Sequence, residues 1–382
     1  MLKTLPLVLL LAATPALAQR PPLFAIGVEA DVELVHGDVV PRAQVRPDRI
    51  VFFEVVDGRP RRLGSVAAPV SFMGPPAAIA ISPDRRWAFA PAENGRDSKA
   101  PGSLVPTDVL SVLDLAGGSP RVVQTVHLGA DATAAALSPD GRLLVVTHAD
   151  ADRASLLRVE AGRAEKIGEL AFDKGARPLA PVFLPDEQAL AFTLAGSDRI
   201  ALYDWHGTRV DPHPRQQLAA GIYPTSLAVC GPSGYAVVGN FGAATGDENT
   251  VSLIDLHTHP ARVIDTASVG VSPEGVDCST DGRHAVVANQ GMSLLDSADP
   301  RYAPQGDVVL LAIRDRRLVV TDRATIGGWV EGAIFAGDDL VAAQSLADGR
   351  LHLFRRAGDR LVRLEPIVFE HGGPTSFGKA PD

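Results

Sequence analysis

The chain has 382 residues, more than one ordinary domain holds, so it comprises either two domains or a single domain built from repeats. Its formal charge of −9 disfavours nonspecific binding to nucleic acid or to an anionic membrane. Its two cysteines, Cys230 and Cys278, form no C-x-x-C-H haem site and no C-x-x-C metal knuckle, and no cofactor is expected.

The N-terminus reads as a targeting signal covering residues 1–18. Lys3 gives the positive region, Leu5 to Ala13 the apolar core, and Ala16-Leu17-Ala18 the small-x-small cleavage pattern. The core is far shorter than the ~20 residues a spanning helix needs, so stable membrane insertion is not expected. Cleavage after Ala18 would leave a soluble chain, 19–382, in the periplasm or secreted. No lipobox cysteine adjoins the site.

Residues 23–28, 49–56 and 62–71 then read as three strands with no inner strand before them. From about residue 74 a repeat sets in. Its marker is a turn, Ser82-Pro83-Asp84-Arg85, which returns as Ser138-Pro139-Asp140-Gly141, Leu184-Pro185-Asp186-Glu187, Gly231-Pro232-Ser233-Gly234, Ser279-Thr280-Asp281-Gly282 and Ala336-Gly337-Asp338-Asp339. The second residues of these turns are 56, 46, 47, 48 and 57 positions apart. A period near 50 with four short apolar runs per repeat fits a four-stranded propeller blade.

One repeat, 221–270, illustrates the order: strand A at 224–230, strand B at 235–240, strand C at 250–256 and strand D at 262–269. Strand C recurs as VLSVLDL (109–115), IALYDW (200–205), VSLIDL (251–256) and VVLLAI (308–313). Each run is aliphatic or β-branched and bounded by Gly, Asp or Asn, which favours strand over helix. After the sixth repeat, Gly373-Pro374-Thr375-Ser376-Phe377 resembles the strand A entry Tyr223-Pro224-Thr225-Ser226-Leu227. The C-terminal strand therefore completes a seventh blade with the three N-terminal strands. The expected fold is all-β: a single seven-bladed propeller of four-stranded antiparallel blades, and a monomer.

Two segments carry a family resemblance. Pro273-Glu274-Gly275-Val276-Asp277-Cys278-Ser279-Thr280-Asp281-Gly282 leads into Ala285-Val286-Val287-Ala288-Asn289, and Val237-Val238-Gly239-Asn240 leads toward Asn249-Thr250-Val251-Ser252-Leu253-Ile254-Asp255. These resemble the repeat of the YVTN-type, lactonase-like seven-bladed propellers common among exported bacterial proteins. The resemblance covers nearly all of the mature chain and implies the fold. Function must be argued from the site, because one propeller plan hosts catalysis, ligand binding and scaffolding.

In such a blade the D–A and B–C connections share one face, and the A–B and C–D turns share the other. The long connections, about 29–48, 92–107, 240–249 and 289–306, are all B–C loops, which points to that face for binding. The D–A entries ring the channel mouth and supply Arg177, Thr225, Glu274, Glu331 and Thr375, with Asp131 in the third repeat. Glu274 and Glu331 hold related positions in adjacent blades, as a general acid/base pair, a cation site, or caps on neighbouring strand ends.

Asn240 and Asn289 end strand B; in the resembling family this Asn helps fix loop geometry, and both are also ligand-binding candidates. His148, at the same place in the third repeat, reads as a loop residue. His257 and His259 sit in a C–D turn on the opposite face without a third ligand, and no metal is expected there. Cys230 and Cys278 end strand A in adjacent blades, either as a disulfide or as two buried thiols.

The leading functional expectation is an exported, non-enzymatic propeller that binds a small molecule, an envelope component or a partner protein at the channel mouth. The alternative is a lactonase-like hydrolase. Members resembling 6-phosphogluconolactonase carry a G-P-R-H segment at a strand A entry, whereas this chain has Gly373-Pro374-Thr375-Ser376 and Gly175-Ala176-Arg177-Pro178. An acidic mouth also suits a phosphorylated sugar poorly. A third reading is a propeller subunit of a periplasmic redox complex whose cofactor would sit on another chain.

Overall fold

A computed structural model describes residues 20–35, 38–44, 46–97, 99–100, 103–184 and 188–381. The expected signal segment and the turn at Pro185-Asp186-Glu187 lie outside the described residues.

The chain folds into seven sheets arranged as propeller blades, each with the antiparallel strand order A-B-C-D. Blade 1 is the composite blade: the C-terminal strand Gly373–Lys379 pairs with Leu23–Glu29, which pairs with Arg49–Val56 and then Arg59–Ala67. Blades 2 to 7 follow in chain order, with inner strands Ala80–Ile81, Ala135–Leu137, Pro178–Leu184, Pro224–Val229, Pro273–Cys278 and Ala333–Phe335. Among the described residues, helix is confined to single 3₁₀ turns of three or four residues. Among the described residues no helix is long and apolar enough to cross a membrane.

The core is distributed among the seven interfaces between blades. Side chains alternate across each strand, so one set packs against the preceding blade and the other against the next. Phe24, Ile26 and Val28 of blade 1 join Ile334, Ala342 and Leu353 of blade 7, while Leu23 and Ala25 join Ala88 and Ala90 of blade 2. Equivalent apolar clusters fill the other five interfaces. This explains why the middle strands read as unbroken apolar runs: both of their faces are covered.

Cys230 and Cys278 lie in the cluster between blades 5 and 6 and are joined as a disulfide, with Cα atoms 4.9 Å apart. Such a cross-link ties the inner strands of two blades together.

The turn marker works through its own side chains. Ser138 Oγ donates to Asp140 Oδ1 at 2.6 Å and accepts from the Leu143 amide at 2.9 Å, while Gly141 adopts φ +72°. Ser279 and Asp281 repeat the arrangement, and Ser82 and Asp84 do so with Arg85 at φ +61° in the glycine position. All these polar groups are used within the turn.

Two expectations need correction. The connection expected at 92–107 is mostly strand, because Trp87–Arg96 and Leu104–Asp114 extend as a paired arm beyond the blade. The 29–48 segment likewise contains a hairpin, Val32–Val35 with Asp38–Pro41. Arg96 Nε binds Asp31 Oδ1 at 2.7 Å and ties the two excursions side by side.

Candidate functional site

The D–A connections enter the channel mouth through a repeated backbone device. Non-glycine residues with φ near +50° stand directly before three inner strands, Arg177, Tyr223 and Ser272, and four residues before a fourth, Trp329. Such conformations are costly for side-chain-bearing residues and concentrate at functional sites. The register then slips just inside the strand, between Pro224 and Ser226 and between Pro273 and Val276, so Thr225 and Glu274 sit on β-bulges. A bulge re-aims a side chain that regular pleating would send into a blade interface.

The residue following each glutamate is also constrained. A Cβ on Gly275 would come within 2.6 Å of the Glu331 carbonyl, and one on Gly332 within 2.6 Å of Pro76 Cβ. The Glu-Gly pair recurs because the glycine must pass close against neighbouring atoms, backbone at Gly275 and the Pro76 and Phe377 rings at Gly332, while the glutamate faces the channel.

These entries line a cavity of about 480 Å³ on the long-loop face. Its acidic groups are Glu93, Glu274 and Glu331, its cation is Arg177, and its aromatic walls are Tyr223, Phe241 and Trp329. The loop after Asn240 contributes Phe241 to Ala244, the loop after Asn289 contributes Gln290 and Leu294, and the segment entering blade 2 contributes Met73 to Pro75.

Glu274 and Glu331 are 8% and 2% exposed. Glu274 Oε2 accepts a 2.5 Å bond from Gln290 Nε2, and Glu331 Oε1 accepts a 2.6 Å bond from Trp329 Nε1. Burial pushes the Glu274 carboxyl up to about 8. Burial and then the repulsion of Glu274 push Glu331 well above the usual carboxylate range. Glu93 is raised to about 8 by burial and by the charges of Asp131 and Asp150. Glu331 Oε2, Glu93 Oε2 and Gln290 Oε1 are buried acceptors with no partner in the protein, and Arg177 Nε is a buried donor with none. Arg177 reaches out of this acidic group to Asp150, with Nη1 2.6 Å from Oδ1.

Of the residues singled out in the sequence, Arg177, Thr225, Glu274 and Glu331 therefore come together at one cavity. Thr225 is committed to the framework: its hydroxyl donates to the Glu274 carbonyl at 2.8 Å. Thr375 lies outside the lining and donates to the Ser71 carbonyl at 2.7 Å. Asn240 binds the Gly221 amide, Thr250 Oγ1 and Ser252 Oγ, and Asn289 binds the Val269 carbonyl and Asp307; both hold the roots of long loops.

His148 is a correction to the loop reading. It ends strand B fully buried, with Nδ1 2.6 Å from the Asp131 carbonyl and Nε2 2.8 Å from Ser155 Oγ, because the strand carries it into the blade. His257 sits in the opposite-face turn, close to Asp255.

Glu93, Gln290, Tyr223 and Trp329 are what sequence reasoning missed. Gln290 and Tyr223 each adjoin a residue singled out by alignment, Asn289 and Pro224, and the positive φ that aims Tyr223 and Trp329 has no signature in the residue type. A second acidic group, Glu29, Asp31 and Asp48, brings carboxylate oxygens within 4.8 Å of one another. Glu29 accepts the Asp31 and Val32 amides, and Asp48 accepts those of Ala30 and Val70, so this group secures the base of the 29–48 excursion.

No family model matches the chain, and no curated protein is detectably similar to it in sequence. Solved structures do match. A candidate 6-phosphogluconolactonase from Bacteroides fragilis superposes with a TM-score of 0.70 at 14% identity, over 96% of this chain and 100% of that one. The periplasmic gluconolactonase of Pseudomonas aeruginosa gives 0.65 at 19% identity, over 94% and 99%. A hypothetical selenium-binding protein from Sulfolobus tokodaii gives 0.63 at 11% identity, over 94% of each chain. The chain shares the seven-bladed propeller fold of these structures. At these identities the likeness is one of fold, and the chemistry has to be argued from the cavity.

Proposed function

We propose that this protein is an exported hydrolase of a small, non-anionic lactone, acting at the channel-mouth cavity. The observation that carries the reading is the pair Glu274 and Glu331: two buried carboxyls on adjacent blades, each held by one hydrogen bond, beside a cavity sized for a small molecule. Two repelling carboxyls share a proton, so one member is acid while the other is base. The base takes a proton from water as the water oxygen bonds to the lactone carbonyl carbon. The acid then returns a proton to the ring oxygen as the ring C–O bond breaks, leaving a hydroxy acid. The unpartnered Arg177 Nε is a donor available to the carbonyl oxygen as negative charge develops on it.

Non-anionic character follows from charge. Three carboxyls face one guanidinium that Asp150 already engages, so a phosphate would find no free cationic clamp and would oppose ionisation of the catalytic base. The names of the fold neighbours add lactones as the class of substrate to try first.

The test is pH-stat hydrolysis of glucono-δ-lactone and γ-butyrolactone by purified protein. Turnover proportional to enzyme is expected, with a bell-shaped pH profile centred near or above neutrality. Glu274→Gln and Glu331→Gln should each lower kcat by about 100-fold or more. Lactone turnover indistinguishable from buffer would end this reading. Binding without turnover is the second reading. It is favoured by the walls of Tyr223, Phe241 and Trp329, which serve recognition and not proton transfer. Export would be checked by N-terminal sequencing of the mature chain, which should begin at Gln19.

A further inference from the structure

The cavity contains more carboxyls than lactone hydrolysis requires. Glu274 and Glu331 form the acid/base pair, but Glu93, from blade 2, adds a third carboxyl with no part in that chemistry. The lining's buried atoms without partners are mostly acceptors: Glu331 Oε2, Gln290 Oε1 and Glu93 Oε2. Glu331 and Gln290 are each only 2% exposed, so bulk water does not satisfy these atoms. A buried acceptor without a donor is costly, and the occupant of such a site is expected to bring donors.

Hydroxyl groups would supply donors without charge. Two further features favour a cation. One guanidinium, Arg177, faces three carboxyls and also engages Asp150; burial favours the protonated form of all three, and a cation bound among them would favour the charged form. The walls also carry three π systems, Trp329, Tyr223 and Phe241, the last two with ring centroids 6.0 Å apart. Aromatic faces beside carboxylates are the surroundings that attract an ammonium group, through the ring quadrupole and through charge. The backbone keeps two of these rings in place at a conformational cost, with Tyr223 at φ +54° and Trp329 at φ +53°.

We propose that the cavity recognises a small organic ammonium ion and, on the lactone-hydrolase reading above, that the substrate is a lactone carrying an ammonium group. The ammonium would lie among Glu93, Glu331 and the rings, leaving the carbonyl to face Arg177.

The test compares α-amino-γ-butyrolactone with unsubstituted γ-butyrolactone at neutral pH, alongside calorimetric titration with methylammonium chloride. The expected result is a kcat/KM at least about tenfold higher for the ammonium lactone. Glu93→Gln, which spares the acid/base pair, should reduce that preference. Phe241→Leu should weaken methylammonium binding by about 3- to 30-fold while leaving every carboxyl and its hydrogen bond in place. If both lactones are hydrolysed equally well, the ammonium inference falls and the hydrolase reading stands. If neither lactone is hydrolysed but methylammonium binds saturably and Glu93→Gln weakens it, the hydrolase reading falls and the inference stands. Absence of saturable binding in a folded protein overturns the inference. Thermal melts of each variant distinguish lost recognition from lost folding.

Discussion

Glu274 shows how one residue links site and stability. Its carboxyl is raised to about 8 in the folded protein by burial, against an ordinary value of 4.5 when exposed. Between these values the folded state holds a proton that the unfolded state has released. The group's contribution is therefore complete below about pH 4.5 and is lost as pH rises through about 8. Glu274→Gln keeps an oxygen able to accept from Gln290 and removes the ionisation. The variant should gain in melting temperature over the native chain on going from pH 5 to pH 9, by about 3 °C or more, as read by calorimetry. A difference that stays flat with pH would mean that Glu274 is ionised in the folded state. The serine and aspartate of the Ser-Pro-Asp-Gly turn make the opposite point: a conspicuous motif whose polar side chains bond within their own turn.

At the scale of elements, the inner strands are stitched by side chains that cross from one blade to the next. Thr147 donates to the Leu179 carbonyl, Thr193 to that of Thr225, Thr225 to that of Glu274, and Gln344 to that of Thr375. The crossing bonds use carbonyls at or beside the bulged entries, so they fix the strand ends that present the cavity residues. Thr225→Val preserves shape but leaves the buried Glu274 carbonyl without its 2.8 Å donor. It should cost about 1–3 kcal/mol in chemical denaturation. Its effect on kcat should be smaller than that of Glu274→Gln, because it touches only the positioning of the glutamate. Thr225 and Thr375 were legible as channel-mouth residues from their place in the repeat. Their roles as crosslinks were not, because the partner carbonyl is 49 residues away for Thr225 and 304 for Thr375.

At the scale of the molecule, closure decides whether the ring exists. The C-terminal strand pairs with Leu23–Glu29 along six register positions, and Phe377 is buried in the interface between blades 1 and 7. Lys379 also reaches Asp277 of blade 6 at 2.7 Å, beneath the mouth. Deleting residues 373–382 would remove an inner strand, open an apolar interface and leave a strand edge exposed. The truncated chain should lose a single cooperative melt and aggregate on size-exclusion chromatography, whereas a tag added after Asp382 should be tolerated. A monodisperse truncated form with native melting would refute this account of closure.

The amino-acid sequence alone carried the architecture: period, strand order, the count of seven and the composite blade. Each of these rests on local alternation and turn chemistry, which repeat along the chain and need no partner to be read. The cavity lies on the face picked out by the long B–C connections, and Arg177, Glu274 and Glu331 were legible as residues of the strand A entries. Tertiary structure alone decided which groups meet. Glu93 and Glu274 lie 181 positions apart and face one cavity only because the ring returns on itself. The raised carboxyls, the unpartnered oxygens and the rings of Tyr223 and Trp329 depend on burial and on positive φ. Neither is encoded by residue type at one position; both arise when seven blades close around an axis.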